Sequence, residues 1–133
     1  MHEYGLEMLL EIAHFWQSIA QFDPQHQCYS IEDVMGPDEF HEKYPFAQKG
    51  GLKNNAYTNM MVVWLFETIE TLTNTFDAKV IDEQLIKTSA PKNCLQKMKE
   101  IKRQLYLEIN EDGIIAQFEG YFKLKELDWA AYQ

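Results

Sequence analysis

Four residues of the types that carry acid and base chemistry lie close together in segment 36–42, which reads Gly-Pro-Asp-Glu-Phe-His-Glu. They are Asp38, Glu39, His41 and Glu42. A proline in the first turn and acids near a helix N-terminus are typical of the solvated start of a short helix. Alternatively, like charges and burial raise the pKa of a carboxyl group. One of these acids would then stay protonated near neutral pH and act as a general acid.

The N-terminal third of the chain has an unusual charge pattern. Residues 1–42 contain nine of the 21 Asp and Glu residues, all four histidines and no Lys or Arg. The rest of the chain contains twelve acidic and twelve basic residues, which balance. Positive charges and helix N-termini lower a carboxyl pKa, whereas burial and like charges raise it. The lack of cations therefore favours a protonated acid, while a helix start at this place would oppose it.

Two further segments carry polar side chains suited to ligand binding. In segment 50–55, two glycines lead to the amides Asn54 and Asn55. This segment lacks the phosphate-loop pattern, and an Asn pair is also a common helix cap. In segment 117–121, Gln117 and Glu119 alternate with aromatic residues. Such alternation suits the apolar faces and hydroxyl rims of sugars, and it equally suits a buried edge segment.

A metal site is the weakest of the chemical interpretations. Glu11 and His14 have the Glu-x-x-His spacing found in di-iron helical bundles. Such a site needs a second pair on a helix, and the only partner is segment 38–41, which lies behind a Gly-Pro break. The ligand count does not support a transition metal, so we predict no metal site.

Apolar spacing predicts three helices. The first covers residues 3–20 and is apolar around most of its circumference, so it needs neighbours on two sides. The second begins after Asn54 and Asn55, runs to about Phe76 and also has the pattern of a buried helix. The third follows Pro91 and carries a narrow apolar stripe among lysines, which is typical of an outer, solvated helix.

The segments between these helices are predicted to be mostly loops. Residues 21–52 contain most of the prolines and glycines of the chain, and loops of this length in compact domains are often functional. Several aromatic residues within the segment favour an ordered conformation. After the third helix we predict a turn at 111–113 and a short extended segment at 114–118.

Composition limits the classes of partner. The 133 residues are 46% apolar and 25% charged, as expected for a single globular domain over 1–133. A net charge of −9 and a pI near 4.8 argue against nucleic acid and anionic membranes. The longest apolar run has seven residues, against the ~18–20 that a membrane span requires. The two cysteines, Cys28 and Cys94, and the lack of a signal peptide predict free thiols in a reducing cytoplasm.

Three motifs, together with the first helix, resemble one known family. They are Asp-Val-Met-Gly-Pro-Asp-Glu-Phe-His-Glu at 33–42, Asn-Asn-Ala-Tyr-Thr-Asn at 54–59, and Asp-Gly-Ile-Ile followed by Gln-Phe-Glu-Gly-Tyr within 112–121. In this order they closely resemble the central catalytic domain of glycoside hydrolase family 65. That family contains maltose, trehalose and kojibiose phosphorylases and acid trehalases. The resemblance implies an all-α fold, part of an (α/α)6 barrel or helical toroid, with long inter-helix loops and little strand.

The resemblance also implies an activity and roles for individual residues. Glu39 corresponds to the general acid, which protonates the glycosidic oxygen of an α-linked glucose disaccharide while phosphate attacks the anomeric carbon from the opposite face. In hydrolase members an activated water attacks instead, and both reactions invert the anomeric centre. Asp38, His41, Asn54 and Asn55 are expected to bind the sugar or to hold the acid loop in shape. No cofactor is implied, and inorganic phosphate is the co-substrate of a phosphorylase.

The sequence also departs from the family pattern. Phe40 stands where many members have Tyr, and the loop at 42–53 is of a longer variety, which affects acceptor specificity. The upstream β-sandwich, the first barrel helices, a later Lys-Gln segment and the phosphate-binding loop of the family have no counterpart here. We therefore expect a fragment, a split gene product or a degenerate relative. The alternative function is a non-catalytic helical module for sugar binding or protein interaction, and self-association or pairing with the rest of the barrel is expected.

Overall fold

Four α-helices and a two-stranded antiparallel sheet form most of the regular structure. The computed structural model describes residues 4–37, 42–45 and 47–132. The elements in chain order are α1 (Gly5–Ile19), β1 (Gln21–Asp23), β2 (Cys28–Ser30), α2 (Ala56–Thr75), α3 (Ala78–Lys87), α4 (Cys94–Gln104) and two short 3-10 helices at Tyr121–Lys123 and Trp129–Tyr132. The predicted helical fold class with little strand is confirmed. Within the described part of the chain, no helix has the length and apolar character needed to span a bilayer.

One apolar core joins the four helices and the sheet. Helix α1 contacts α2, α3 and α4, and α4 also contacts α2 and β2. Buried side chains of this core include Leu10, Ala13, Tyr29, Ile31, Val62, Phe66, Ile69, Cys94, Met98 and Ile101. Burial of such side chains is the main contribution to folding. The core therefore fixes the direction of α2, whose N-terminal end carries the second motif.

The three predicted helices are present, with local reasons for their ends. Asn55 is the N-cap of α2, and its Oδ1 accepts a hydrogen bond from the Thr58 N–H at 3.0 Å. This is the cap that the Asn pair predicts. Helix α4 buries Cys94, Met98 and Ile101, so the predicted narrow apolar stripe is present. Its lysines are only partly exposed, and the side chain of Lys102 is 16% exposed, so the helix is less solvated than predicted.

Two elements differ from the sequence prediction. The segment 21–52 begins with a hairpin, in which Gln21, Phe22 and Asp23 pair with Ser30, Tyr29 and Cys28. Helix α3 was not predicted. It has ten residues, fewer than the ~11–18 over which helical spacing is read. Asp77 caps it through the Lys79 N–H.

The predicted extended segment at 114–118 is reduced to a single bridge. Ile115 pairs with Ile109 in an isolated antiparallel bridge, and the turn at 111–113 lies between them as predicted. The Oδ1 of Asn110 accepts hydrogen bonds from the N–H groups of Asp112 and Ile114. A side-chain cap of this kind holds the turn without a longer strand.

Helix α1 has neighbours on more than one side, but part of the apolar surface of α1 and α2 has no partner among the described residues, as expected for part of a barrel. Six large apolar side chains on these helices are between 42% and 59% exposed, and we call them the apolar face: Met8, Ile12, Phe15, Met60, Met61 and Trp64. The core lies on the other side of both helices, where Leu10 and Phe66 are buried. An exposed apolar area of this kind is unusual for a monomeric surface.

Candidate active site

The motif segments meet at the N-terminal end of α2. A cavity of about 220 Å³, which we call the motif cavity, is lined by Pro37, Asn55, Ala56, Tyr57, Met60, Ile115, Ala116 and Gln117. Pro37 belongs to the first motif, Asn55 and Tyr57 to the second, and Ile115 and Gln117 to the third. The backbone joins the last two, because the Ala56 N–H donates to the Gln117 carbonyl at 2.9 Å. Segments far apart in sequence thus form one wall.

Asn54 lies inside this arrangement and is 2% exposed. Its backbone has φ +53°, a left-handed conformation that Asn tolerates better than most residues. Its Oδ1 accepts from the Ile31 N–H at 3.1 Å, and its Nδ2 donates to the Ser30 hydroxyl at 3.1 Å and to Glu119 Oε2 at 2.7 Å. The side chain therefore joins three segments.

Asn55 is equally buried but has a different position. Its Oδ1 accepts from both the N–H and the hydroxyl of Thr58, at 3.0 and 3.2 Å. The residue also lines the motif cavity. Of the two amides that we expected to bind sugar, Asn54 is held by internal hydrogen bonds, whereas Asn55 borders the space that a ligand would enter.

Lys53 sits between carboxylates beside the same network. Its Nζ lies 3.3 Å from Glu32 and 3.7 Å from Glu119. Burial lowers the pKa of Lys53, but Glu119 and Glu32 together outweigh that effect, so the pKa is raised. The ammonium group therefore stays charged and is shared by two acids. Lys49 forms a single ion pair with Asp33 at the surface.

Tyr44 links the loop to the third motif, a role that no sequence pattern indicated. Its hydroxyl donates to the Glu119 carbonyl at 2.9 Å and accepts from the Lys53 N–H at 3.1 Å. Its ring meets that of Phe118 edge to face, with centroids 5.6 Å apart. Burial raises the pKa of Tyr44, so the hydroxyl remains a donor at neutral pH.

Asp38, Glu39 and His41 lie outside the described residues, as does the predicted helix start at this place. The chain on both sides of them is held against segment 51–52. Val34 and Leu52 exchange two backbone hydrogen bonds, at 3.2 and 2.7 Å, and the Gly51 N–H donates to the Glu42 carbonyl at 2.6 Å. The roles of the three residues stay predictions.

The remaining candidate chemistry concerns thiols and metals. Cys28 and Cys94 are free thiols, and burial raises the pKa of each. A raised thiol pKa means little thiolate and low nucleophilicity. Among the residues that the structure describes, no three His, Cys, Asp or Glu side chains are grouped as metal ligands.

Comparison with known proteins gives the family. The model of the "Glycosyl hydrolase family 65 central catalytic domain" matches residues 1–133. The chain belongs to glycosyl hydrolase family 65. It is 40% identical over 130 residues to the trehalose 6-phosphate phosphorylase of Lactococcus lactis subsp. lactis, and 34% identical over 137 residues to the kojibiose phosphorylase of Halothermothrix orenii. The resemblance in the sequence is therefore confirmed.

The match covers this family 65 chain almost completely and its relatives only in part. The alignments include 97% and 100% of this chain, but the chain spans only 15% and 16% of the two relatives. A solved structure of a protein assigned as a kojibiose phosphorylase, from the human microbiome, superposes with a TM-score of 0.80 at 29% identity. The superposition covers 100% of this chain and 18% of that protein. The four α-helices of the described residues therefore superpose on part of that protein and do not by themselves close a barrel.

Proposed function

We propose that this family 65 chain supplies the acid side of an active site that cleaves α-linked glucose disaccharides, with Glu39 as the general acid. Glu39 protonates the glycosidic oxygen while inorganic phosphate attacks the anomeric carbon from the opposite face, so the product is inverted. Phosphate is already a nucleophile, and one protein carboxyl group is then sufficient. Phosphorolysis is preferred over hydrolysis because the relatives quoted above are named phosphorylases.

One observation carries this proposal most strongly. Pro37, which directly precedes the acid segment, lines the same cavity as Asn55 and Gln117 of the other two motifs. A proton donor next to this cavity would face a ligand bordered by amide and aromatic side chains. These are the groups that orient sugars through hydroxyl contacts and apolar ring faces.

Two described cations that follow the acid segment 38–41 in sequence are paired with carboxylates. Lys49 and Lys53 each pair with carboxylates, namely Asp33, Glu32 and Glu119. Cations that are already neutralised lower the pKa of a further carboxyl group less than free ones would. Asp38, His41 and Asn55 are proposed to surround the sugar, while Asn54 is proposed to hold the loop. No cofactor is needed.

The cavity also indicates what the chain requires. Its volume of about 220 Å³ is below the ~300–1,000 Å³ usual for small-molecule sites. Further walls are therefore proposed to come from other segments of a family 65 catalytic domain. The apolar face on α1 and α2 is proposed as the surface where helices of that domain pack, or where a second copy packs if this chain stands alone.

The activity is tested by product analysis. The natural polypeptide that contains this chain is incubated with kojibiose, trehalose or trehalose 6-phosphate, with and without inorganic phosphate. We expect β-glucose 1-phosphate only when phosphate is present, and free glucose as the sole glucose product only if water is the nucleophile. Absence of both products together with absence of disaccharide binding would contradict the proposal and favour the non-catalytic interaction module.

The surface is tested by sedimentation of the 133-residue chain. Trp64 is 59% exposed and Met61 is 44% exposed, and both line an apolar groove with Leu9, Ile12 and Trp16. We expect concentration-dependent self-association that the double substitution Met61→Lys and Trp64→Lys reduces. Ile86→Lys is the control, because Ile86 is 79% exposed and lies outside the groove. A compact monomer at all concentrations would contradict this surface assignment.

A further inference from the structure

The two ends of the acid segment converge on one short stretch of chain. The acid segment, residues 38–41, lies between Val34 and Glu42. Val34 is hydrogen-bonded to Leu52, and Glu42 is hydrogen-bonded to Gly51. Gly51 makes this approach feasible: it has φ +106°, and a Cβ at this position would lie 2.6 Å from the Asp33 Cα. A non-glycine residue would have to move the backbone. Backbone contacts with residues 51 and 52 thus hold the two ends of the acid segment close together.

A second connection is made by one side chain. The Tyr44 hydroxyl donates to the Glu119 carbonyl and accepts from the Lys53 N–H. Those two residues are also joined directly, since the Glu119 N–H donates to the Lys53 carbonyl at 3.0 Å. Tyr44 therefore connects the end of the loop to Lys53, which precedes α2, and to Glu119 of the third motif.

We propose that Tyr44 is a positioning residue for the acid on the 38–41 segment. This inference rests on the proposed function of Glu39. Tyr44 follows Glu42 by two residues, and its ring and hydroxyl fix the chain there relative to the walls of the motif cavity. Tyr44 acts through the loop, and no contact between its side chain and the sugar is invoked. Displacement of a catalytic group by about 1 Å can cost ~10²-fold in rate.

The chemistry of the leaving group separates a misplaced acid from a general structural fault. A disaccharide needs its leaving oxygen protonated, whereas α-glucosyl fluoride has a leaving group that depends much less on an acid. Loss of acid positioning therefore slows the first substrate and largely spares the second. A fault in sugar binding or folding slows both substrates.

The test compares Tyr44→Phe with wild type in the natural polypeptide that contains this chain, with phosphate present. We expect kcat for the disaccharide to fall about 10- to 100-fold, with KM within about 3-fold. We expect kcat for α-glucosyl fluoride to stay within about 3-fold. Tyr29→Phe is the matched control, because Tyr29 is 5% exposed and its hydroxyl accepts from Lys97 rather than from the loop. The control should leave both rates unchanged.

The outcomes distinguish this inference from the proposed function. If Glu39→Gln keeps wild-type turnover on the disaccharide, the proposed function fails and this inference fails with it. If Glu39→Gln is impaired while Tyr44→Phe is unchanged, or is slowed equally on both substrates, the inference alone is overturned. If Tyr44→Phe does not fold by circular dichroism, Gly51→Ala decides. Gly51→Ala disturbs the loop at its other contact and should give the same substrate-dependent loss, and an equal loss on both substrates would overturn the inference.

Discussion

The two ends of α2 are held by different kinds of interaction. At the N-terminal end, Asn54, Asn55 and Asn59 are all at most 2% exposed. Asn54 and Asn59 are hydrogen-bonded to neighbouring segments, and Asn55 caps the helix through Thr58. In the C-terminal half, Phe66 and Ile69 are equally buried but pack against apolar side chains of the core. Hydrogen bonds are directional, whereas apolar burial is not. The polar end therefore fixes the loops in place, and the apolar half stabilises the helix.

This difference matters for function because the candidate site lies at the polar end. The hydrogen bonds of Asn54 reach β2 and the third motif, at Ser30 and Glu119. Moving any one of these segments would leave buried polar groups without partners, which costs about 1–3 kcal/mol each. These hydrogen bonds therefore hold the second and third motifs in fixed positions relative to each other. The apolar half tolerates volume-conserving changes better, since it has no such directional requirement.

The largest effect on stability is expected in the apolar half. Ile69→Ala should lower the free energy of unfolding by about 2–5 kcal/mol, because Ile69 is 1% exposed in the core. Ile86→Ala is the matched control: Ile86 lies in α3 and is 79% exposed. It should change stability by no more than about 0.5 kcal/mol. Urea unfolding measures both. Equal effects would mean that the core is not where the structure has it.

A slightly smaller effect is expected at the polar end. Asn54→Ala should cost about 2–4 kcal/mol, because it leaves the buried Ile31 N–H and the Ser30 hydroxyl without their partner and puts Ala in a left-handed conformation. Gly adopts the left-handed conformation without strain but also lacks the amide side chain. The free energy of unfolding of Asn54→Gly should therefore lie between the values for Asn54→Ala and wild type. Urea unfolding again gives the values. If Gly restored wild-type stability, the side-chain hydrogen bonds would contribute nothing.

A smaller effect is expected at the helix cap. Asn55→Ala should cost about 1 kcal/mol, since it removes the acceptor of the Thr58 N–H. Asn93→Ala provides the matched control. Asn93 is the N-cap residue of α4, but its side chain makes no capping hydrogen bond. Its replacement should leave the thermal midpoint nearly unchanged, and an equal shift for both variants would contradict the distinction between the two caps.

The sequence predicts the apolar half of the molecule better than the polar end. Helices α1, α2 and α4 follow from apolar spacing, because each buries a periodic stripe in the core. Helix α3 has ten residues, fewer than the ~11–18 over which helical spacing is read. The hairpin is short and lies in a segment rich in turn residues, where strands of three residues leave little periodicity.

The candidate site was predicted through motifs, but its internal contacts were not. Tyr44 and Glu119 are 75 residues apart in sequence, and no local pattern indicates that one hydroxyl joins them. Asn54 was predicted to surround the sugar or to hold the acid loop; its hydrogen bonds run to Ser30, Ile31 and Glu119, and its role stays a prediction. The exposed apolar face agrees with the expectation of an incomplete barrel. Apolar spacing shows that a face needs a partner without showing which chain supplies it.

The most direct test of the account is turnover of Glu39→Gln in the natural polypeptide that contains this chain. Gln keeps the size and hydrogen-bonding reach of Glu but cannot donate an acidic proton. The account predicts a fall in kcat on the disaccharide of ~10²–10⁴-fold, with a thermal midpoint close to wild type. Wild-type turnover by a folded Glu39→Gln variant would contradict the assignment of Glu39 as the acid.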